Sequence, residues 1–225
     1  MITRIISGII GIGIAGYVIQ TGGTTFTVAA AVLAALAWFE YTRAFSHRGG
    51  SPALFSGILG IGGMLYGAFI GQESVILLAL IASSTLALMT CVLLRGDVSV
   101  HDATVSVAGI CYIGMPFALL ILLRNMTGPV YTTPIETFSC GAAMVWVMFI
   151  GTWASDSFAY FAGRAFGSHK LAPAISPNKT IEGFFGGLIG TIAVIVGLGW
   201  LLAMPLPQMA ALGAAIAVLG TLGDL

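Results

Sequence analysis

Between Asp156 and Gly183 the sequence gathers groups that could do chemistry. Asp156, Arg164, His169, Lys170, Ser176, Asn178, Lys179 and Glu182 share one stretch of a chain otherwise poor in charge. Asp156 follows the uncharged run Ala142 to Ala154 and precedes Ser157-Phe158-Ala159-Tyr160-Phe161-Ala162. This places its carboxylate at or just inside a membrane boundary, on a helix that continues past it. A carboxylate there is costly unless it faces a wet cavity, a cation or a partner. Tyr160 and Gly163 follow at i+4 and i+7, on the same helical face, where glycine leaves room for a ligand. The plainer alternative is an interfacial aspartate that ends a span in water.

Ser176-Pro177-Asn178-Lys179 reads as a helix start, with Ser176 at the N-cap, Pro177 at the first helical position, and Lys179 and Glu182 three apart on one face. The unpaired N–H groups of such an end, with Lys179 beside them, suit a phosphate. The alternative is an ordinary capped helix with a surface Lys/Glu pair. Asp224, after Gly220-Thr221-Leu222-Gly223, is expected to emerge on the same side as Asp156 and Lys179. Two carboxylates at one membrane face could hold Mg2+ through hard oxygen ligands while the lysine meets a phosphate. Taken alone, Asp224 could be a solvated chain end. His169 reads as a solvated loop residue, because no second His lies at metal-ligand spacing.

What must position these groups is a set of membrane-spanning helices. Of 225 residues 58% are hydrophobic and 7% charged, 31 are glycine, and mean hydropathy is +1.05. That composition excludes a water-soluble globule, a disordered segment and a nucleic-acid binder. Eight Lys and Arg balance eight Asp and Glu, so no polybasic or acidic surface points to a partner. Cys91, Cys111 and Cys140 lack CxxC spacing and read as small buried apolar residues.

About 20 apolar residues cross a bilayer core. The uncharged intervals Arg48 to Glu73, Glu73 to Arg95, Asp102 to Arg124 and Glu136 to Asp156 each fit one crossing. The runs 5–39 and 183–223 are too long for one. Each is expected to fold as a helical hairpin, broken at Thr21-Gly22-Gly23-Thr24 and at Met204-Pro205-Leu206-Pro207. The reading is therefore an all-α polytopic integral membrane protein of about eight transmembrane helices. Residues 1–135 hold about five spans. Residues 136–225 form a catalytic-type region with a cytoplasmic loop at 157–182. A cytoplasmic N-terminus puts Arg4, Arg43, Arg48, Arg95, Arg164, Lys170 and Lys179 inside and Arg124 alone outside, as the positive-inside rule favours. Glu73 and Glu136 then fall outside with Arg124. The loops with Glu40, Arg43, His47 and Arg48, and with Arg95, Asp97, His101 and Asp102, read as positive-inside anchors that could touch lipid headgroups. Gly63 to Gly67, Gly183 to Gly187 and Gly186 to Gly190 are GxxxG patterns, read as close helix packing rather than phosphate binding.

Three blocks resemble the phosphatidate cytidylyltransferases, the CDP-diacylglycerol synthases. They are Asp156-Ser157-x-Ala159-Tyr160, Gly163-Arg164-x-Phe166-Gly167-x-His169-Lys170-Leu171-x-Pro173, and Ile175-Ser176-Pro177-Asn178-Lys179-Thr180-x-Glu182-Gly183. The resemblance implies a transferase that condenses CTP with phosphatidic acid to CDP-diacylglycerol and pyrophosphate. It implies a divalent cation, Mg2+ by the chemistry above, and a site at the cytoplasmic face of the inner membrane. By position, Asp156 and Asp224 would serve the metal. Lys179 and Glu182 would be catalytic, and Arg164, Lys170, Ser176 and Asn178 would bind substrate. Membrane lipid is the expected partner, nucleic acid is not, and a homodimer is left open. The family's most specific signature would follow the closing Gly-Asp-Leu. The chain therefore reads as C-terminally truncated, with little or no activity expected of it alone. Other readings are a membrane CTP-transferase for another lipid acceptor, a transporter, or a catalytically dead remnant. The transporter reading lacks the polar groups at mid-membrane that it would need.

Overall fold

A computed structural model describes residues 2–47, 53–93, 99–134 and 136–225. Arg48, Arg95 and Asp97 lie outside the described residues, and of Arg4 and Cys91 only the backbone is described. The chain divides into two compact units, Met1–Thr127 and Gly128–Leu225.

The regular elements of the first unit are all helices among its described residues. It contains α1 (Ile2–Thr21), α2 (Gly23–Ser46), α3 (Leu54–Phe69), α4 (Glu73–Leu93), α5 (Val100–Gly109) and α6 (Met115–Arg124). A π-helical turn, Ile110–Gly114, joins α5 to α6, so that Val100–Arg124 forms one long rod. The expected break between the first two helices falls at Gly22, whose φ of 65° is a conformation that glycine adopts at little cost. The same glycine lies against the Arg124 guanidinium, leaving no space for a Cβ. Arg124 is buried and donates from Nε to the Ile19 carbonyl at 2.6 Å and from Nη2 to the Gln20 carbonyl at 3.0 Å. It thereby satisfies carbonyls that the end of α1 would otherwise leave unpaired. Trp38 packs on Gly57 and donates its indole N–H to the Leu54 carbonyl at 3.2 Å.

Three expectations for this unit change. Glu40, Arg43 and His47 lie on or at the end of α2 rather than in a loop, because the helix runs through Ser46 before His47 caps it. Asp102 belongs to a capping box with Ser99 and is buried at the start of α5. Cys111 also departs from the expectation: it is exposed on the helix surface, whereas Cys140 in the second unit is buried.

The second unit contains the hairpin β1 (Tyr131–Thr132) and β2 (Thr137–Phe138), then α7 (Cys140–Phe166), the hairpin β3 (Lys170–Ala172) and β4 (Ser176–Thr180), α8 (Ile181–Leu201) and α9 (Leu206–Gly223). Contacts pair Gly163 with Gly183, Ala159 with Gly187 and Phe158 with Gly190, so α7 and α8 run antiparallel. Gly183, Gly187 and Gly190 are buried there, and an ideal Cβ on Gly187 would lie 3.1 Å from the Ala159 Cβ. The glycines thus set the close approach of two backbones, as the GxxxG patterns imply. Ala143, Val147, Ile195, Met204 and Met209 form the core beneath the site. The α8–α9 break falls at the expected prolines, with Pro205 capping α9.

Among the described residues five rods are long and apolar enough to cross a membrane: Gly23–Ser46, Glu73–Thr90, Val100–Arg124, Ile181–Leu201 and Leu206–Gly223. Ile10–Thr21 and Leu54–Phe69 are shorter apolar helices. The eighth rod, α7, has 27 residues, about 40 Å at the helical rise, and carries polar Ser155 and Asp156 within it. Leu78 and Ile81 of α4 are 66% and 62% exposed, the outward apolar surface that lipid covers and water would not tolerate. The protein is an all-α polytopic integral membrane protein.

Candidate active site

The site is a pocket of about 520 Å³ in the second unit, walled by the C-terminal half of α7, the β3–β4 hairpin, the first turn of α8 and the end of α9. From α7 come Asp156, Tyr160 and Arg164, spaced by four so that they share one face. From β4 come Asn178, Lys179 and Thr180, and from the end of α9 come Thr221 and Asp224. Leu171 and Phe184 supply apolar wall. The continuation of α7 past Asp156 to Phe166 is what brings these groups to one pocket, so the first ten residues of the 157–182 segment are helix.

The charged groups hold one another. Lys179 Nζ lies 2.9 Å from Asp224 Oδ2 and donates to the Thr221 carbonyl at 3.4 Å. Arg164 donates from Nη1 to the Tyr160 hydroxyl at 2.8 Å, one helical turn away. That bond leaves most of the planar guanidinium's donors available to an anion. An exposed ion pair contributes about 0–1 kcal/mol. In the Lys179–Asp224 pair the carboxylate is 75% exposed and the lysine side chain 23%, so the pair is held mainly from the lysine's side and its carboxylate is open to solvent.

The sequence reading is corrected at Ser176. Ser176-Pro177-Asn178-Lys179 is strand, pairing Ala172 with Ser176 and Lys170 with Thr180 around a register irregularity. The helix starts at Ile181, capped by Thr180, whose hydroxyl accepts the Gly183 N–H at 3.1 Å. Proline at 177 is compatible with a strand because each strand of a two-stranded hairpin has one open edge, where an N–H takes no part in the ladder. The sequence carries a signal for this start: Thr180 is also a capping residue type, and Glu182 then falls in the first turn.

With Lys179 on a strand, the expected Lys179/Glu182 face is not formed. Glu182 Oε1 instead lies 2.7 Å from His169 Nδ1, and both carboxylate oxygens accept the His169 backbone N–H at 3.2 Å. His169 is thus exposed but not a bare loop residue. Of the eight residues expected to act, Asp156, Arg164, Asn178, Lys179 and Asp224 line the pocket, and Lys170, Ser176 and Glu182 do not. Tyr160 as the Arg164 partner, Thr221 and the apolar Leu171 and Phe184 complete the wall.

Two aspartates are hard-oxygen donors, and the described residues contain no group of three or more His, Cys, Asp or Glu able to cage a metal. That donor set fits Mg2+, which commonly takes one or two carboxylates and completes its shell with water and substrate phosphate.

A helical membrane protein with a pocket of two cations and two carboxylates is thus the class that fold and site define. The sequence pattern of the Cytidylyltransferase family matches residues 2–225, and the chain belongs to that family. A phosphatidate cytidylyltransferase of Staphylococcus haemolyticus is 34% identical over 196 residues, 86% of this chain and 70% of that protein. Phosphatidate cytidylyltransferases of Staphylococcus saprophyticus and Staphylococcus aureus are 39% and 33% identical, over 52% and 65% of this chain and 39% and 52% of their own lengths. No solved structure gives a significant match.

Proposed function

We propose that this protein transfers the cytidylyl group of CTP to phosphatidic acid, giving CDP-diacylglycerol and pyrophosphate. The observation that carries the proposal is the convergence of Arg164, Asn178, Lys179, Asp156 and Asp224 on one pocket at the end of apolar helices. The family and the similar staphylococcal proteins name the chemistry. A lipid acceptor keeps its acyl chains in the bilayer while its headgroup meets a soluble nucleotide, and a pocket at a helix-bundle end suits both.

In the proposed reaction a phosphatidate oxygen attacks the α-phosphorus of CTP, the bond to the β-phosphate oxygen breaks, and pyrophosphate leaves. Such transfer depends on positioning and charge neutralisation more than on covalent chemistry. Arg164 offers a planar fork to phosphate oxygens, oriented by Tyr160. Lys179 exchanges Asp224 for a phosphate oxygen, and Asn178 beside it supplies a neutral donor. Asp156 and the released Asp224 would hold a divalent cation, Mg2+ by donor type, which would supply positive charge to offset that of the phosphates. The positive-inside count supports a pocket at the cytoplasmic face of the inner membrane.

The test is transfer of label from α-32P CTP into extractable lipid, using the product of the complete reading frame in phosphatidate-containing vesicles. Labelled CDP-diacylglycerol with equimolar pyrophosphate is expected. Label on a polyprenol or ether-lipid acceptor but not on phosphatidate would move the protein to another acceptor, and no CTP-dependent product would overturn the reading.

A further inference from the structure

We propose that Glu182 and His169 form a positioning clasp that holds the strand carrying Asn178 and Lys179 against the pocket, setting nucleotide affinity without touching the nucleotide. The proposal deepens the cytidylyltransferase reading and rests on it. Glu182 stands in the first turn of α8, and its carboxylate receives both the His169 backbone N–H at 3.2 Å and the ring Nδ1 at 2.7 Å. In return the Ile181 N–H donates to the His169 carbonyl at 2.9 Å. Both backbone polar groups of residue 169 are therefore tied to the start of α8.

The position of this tie gives it consequence. His169 enters β3 at Lys170, which pairs with Thr180, and Lys179 is the next residue back along β4. A two-stranded hairpin has little stability of its own in water. Its geometry must come from its anchors: this clasp and the Thr180 cap, the close seat of Gly167 against the Gly163 carbonyl and the Thr180 side chain, and the bonds of Lys179 to Asp224 and the Thr221 carbonyl, which open when the lysine changes partner. Asn178, Lys179, Thr180 and Gly183 face the pocket, whereas Glu182 between them does not. Its carboxylate is engaged on the side where it can fix the hairpin without repelling a triphosphate.

The experiment compares wild type, Glu182→Gln, His169→Ala and His169→Asn in nanodiscs. Hydrogen exchange over 168–181, CTP binding by equilibrium dialysis with Mg2+, and thermal unfolding are measured on each. Glu182→Gln and His169→Ala are expected to exchange faster in that segment and to weaken CTP binding roughly tenfold, the scale of one charge-assisted hydrogen bond, at unchanged unfolding temperature. His169→Asn, whose amide N–H replaces the ring donor, is expected to restore both. Unchanged exchange overturns the clasp, and so does faster exchange with unchanged CTP affinity. If Glu182→Gln fails to fold, the two His169 variants decide by the same criteria. Wild type that binds no CTP would defeat the cytidylyltransferase reading by itself. The exchange arms then judge the clasp alone, faster exchange in the variants sustaining it and equal exchange overturning it.

Discussion

At the scale of single residues, the pocket pairs each of its cations with a group that keeps it in place. Lys179 rests on Asp224 and Arg164 on Tyr160. Removing Lys179 takes away a full positive charge facing a developing phosphate charge, so Lys179→Ala should lower cytidylyl transfer by at least about 100-fold, the scale of losing one preorganised transition-state contact. Asp156→Asn keeps the shape and removes a hard anionic ligand. Its loss of rate should be partly recovered by raising the Mg2+ concentration, which a purely structural defect would not show. Tyr160→Phe deletes only the hydroxyl that orients Arg164, and a net hydrogen-bond value near 1 kcal/mol puts the expected rise in KM for CTP at about fivefold, with kcat little changed. Steady-state kinetics in phosphatidate vesicles reads all three, and a wild-type rate for Lys179→Ala or Asp156→Asn removes that residue from the proposed mechanism.

Among the elements, the antiparallel α7–α8 pair determines where the pocket groups point, and glycines determine how closely the pair approaches. A Cβ at Gly186 would meet the Ala162 side chain, so Gly186→Val should overpack the interface and cost about 1–3 kcal/mol, read as a lower unfolding temperature in detergent. In the other unit, Arg124→Met removes donors from two carbonyls at the end of α1. Orphaning buried carbonyls costs about 1–3 kcal/mol each, and the same unfolding assay should show it. Equal stability of the variant would mean that water replaces the guanidinium. These two devices differ in legibility. The GxxxG spacing announces close packing because it is local and periodic. The Arg124 contact joins residues 105 apart, and charge counting alone made that arginine a lone outer cation. The β3–β4 hairpin was hidden for a related reason. Ser176-Pro177 satisfies the local rules for a helix start, and only pairing with Lys170 to Ala172 across the turn makes it a strand. The convergence of Asp156, Lys179 and Asp224 was legible because charge in lipid is rare enough to mark a site wherever it occurs.

For the whole molecule, the spans followed from gaps between charges, since the cost of burying charge in hydrocarbon acts on every helix alike. The hairpin breaks at Gly22 and Pro205 fell where turn chemistry put them. Orientation is testable at this scale. With Cys91, Cys111 and Cys140 replaced by alanine, a single cysteine replacing Ser168, beside the β3–β4 hairpin and exposed, should be labelled by an impermeant maleimide in inverted membrane vesicles and not in intact spheroplasts. Labelling from the outer face would reverse the topology and separate the pocket from cytoplasmic CTP. The central claim is that the pocket between α7, β4, α8 and α9 receives the nucleotide triphosphate, and a structure of the protein in nanodiscs with CTP and Mg2+ tests it most directly. Phosphate oxygens are expected within hydrogen-bonding distance of Lys179 Nζ and the Arg164 guanidinium, with the Lys179–Asp224 pair opened. Nucleotide bound elsewhere, or an intact Lys179–Asp224 pair beneath an empty pocket at saturating CTP, would contradict it.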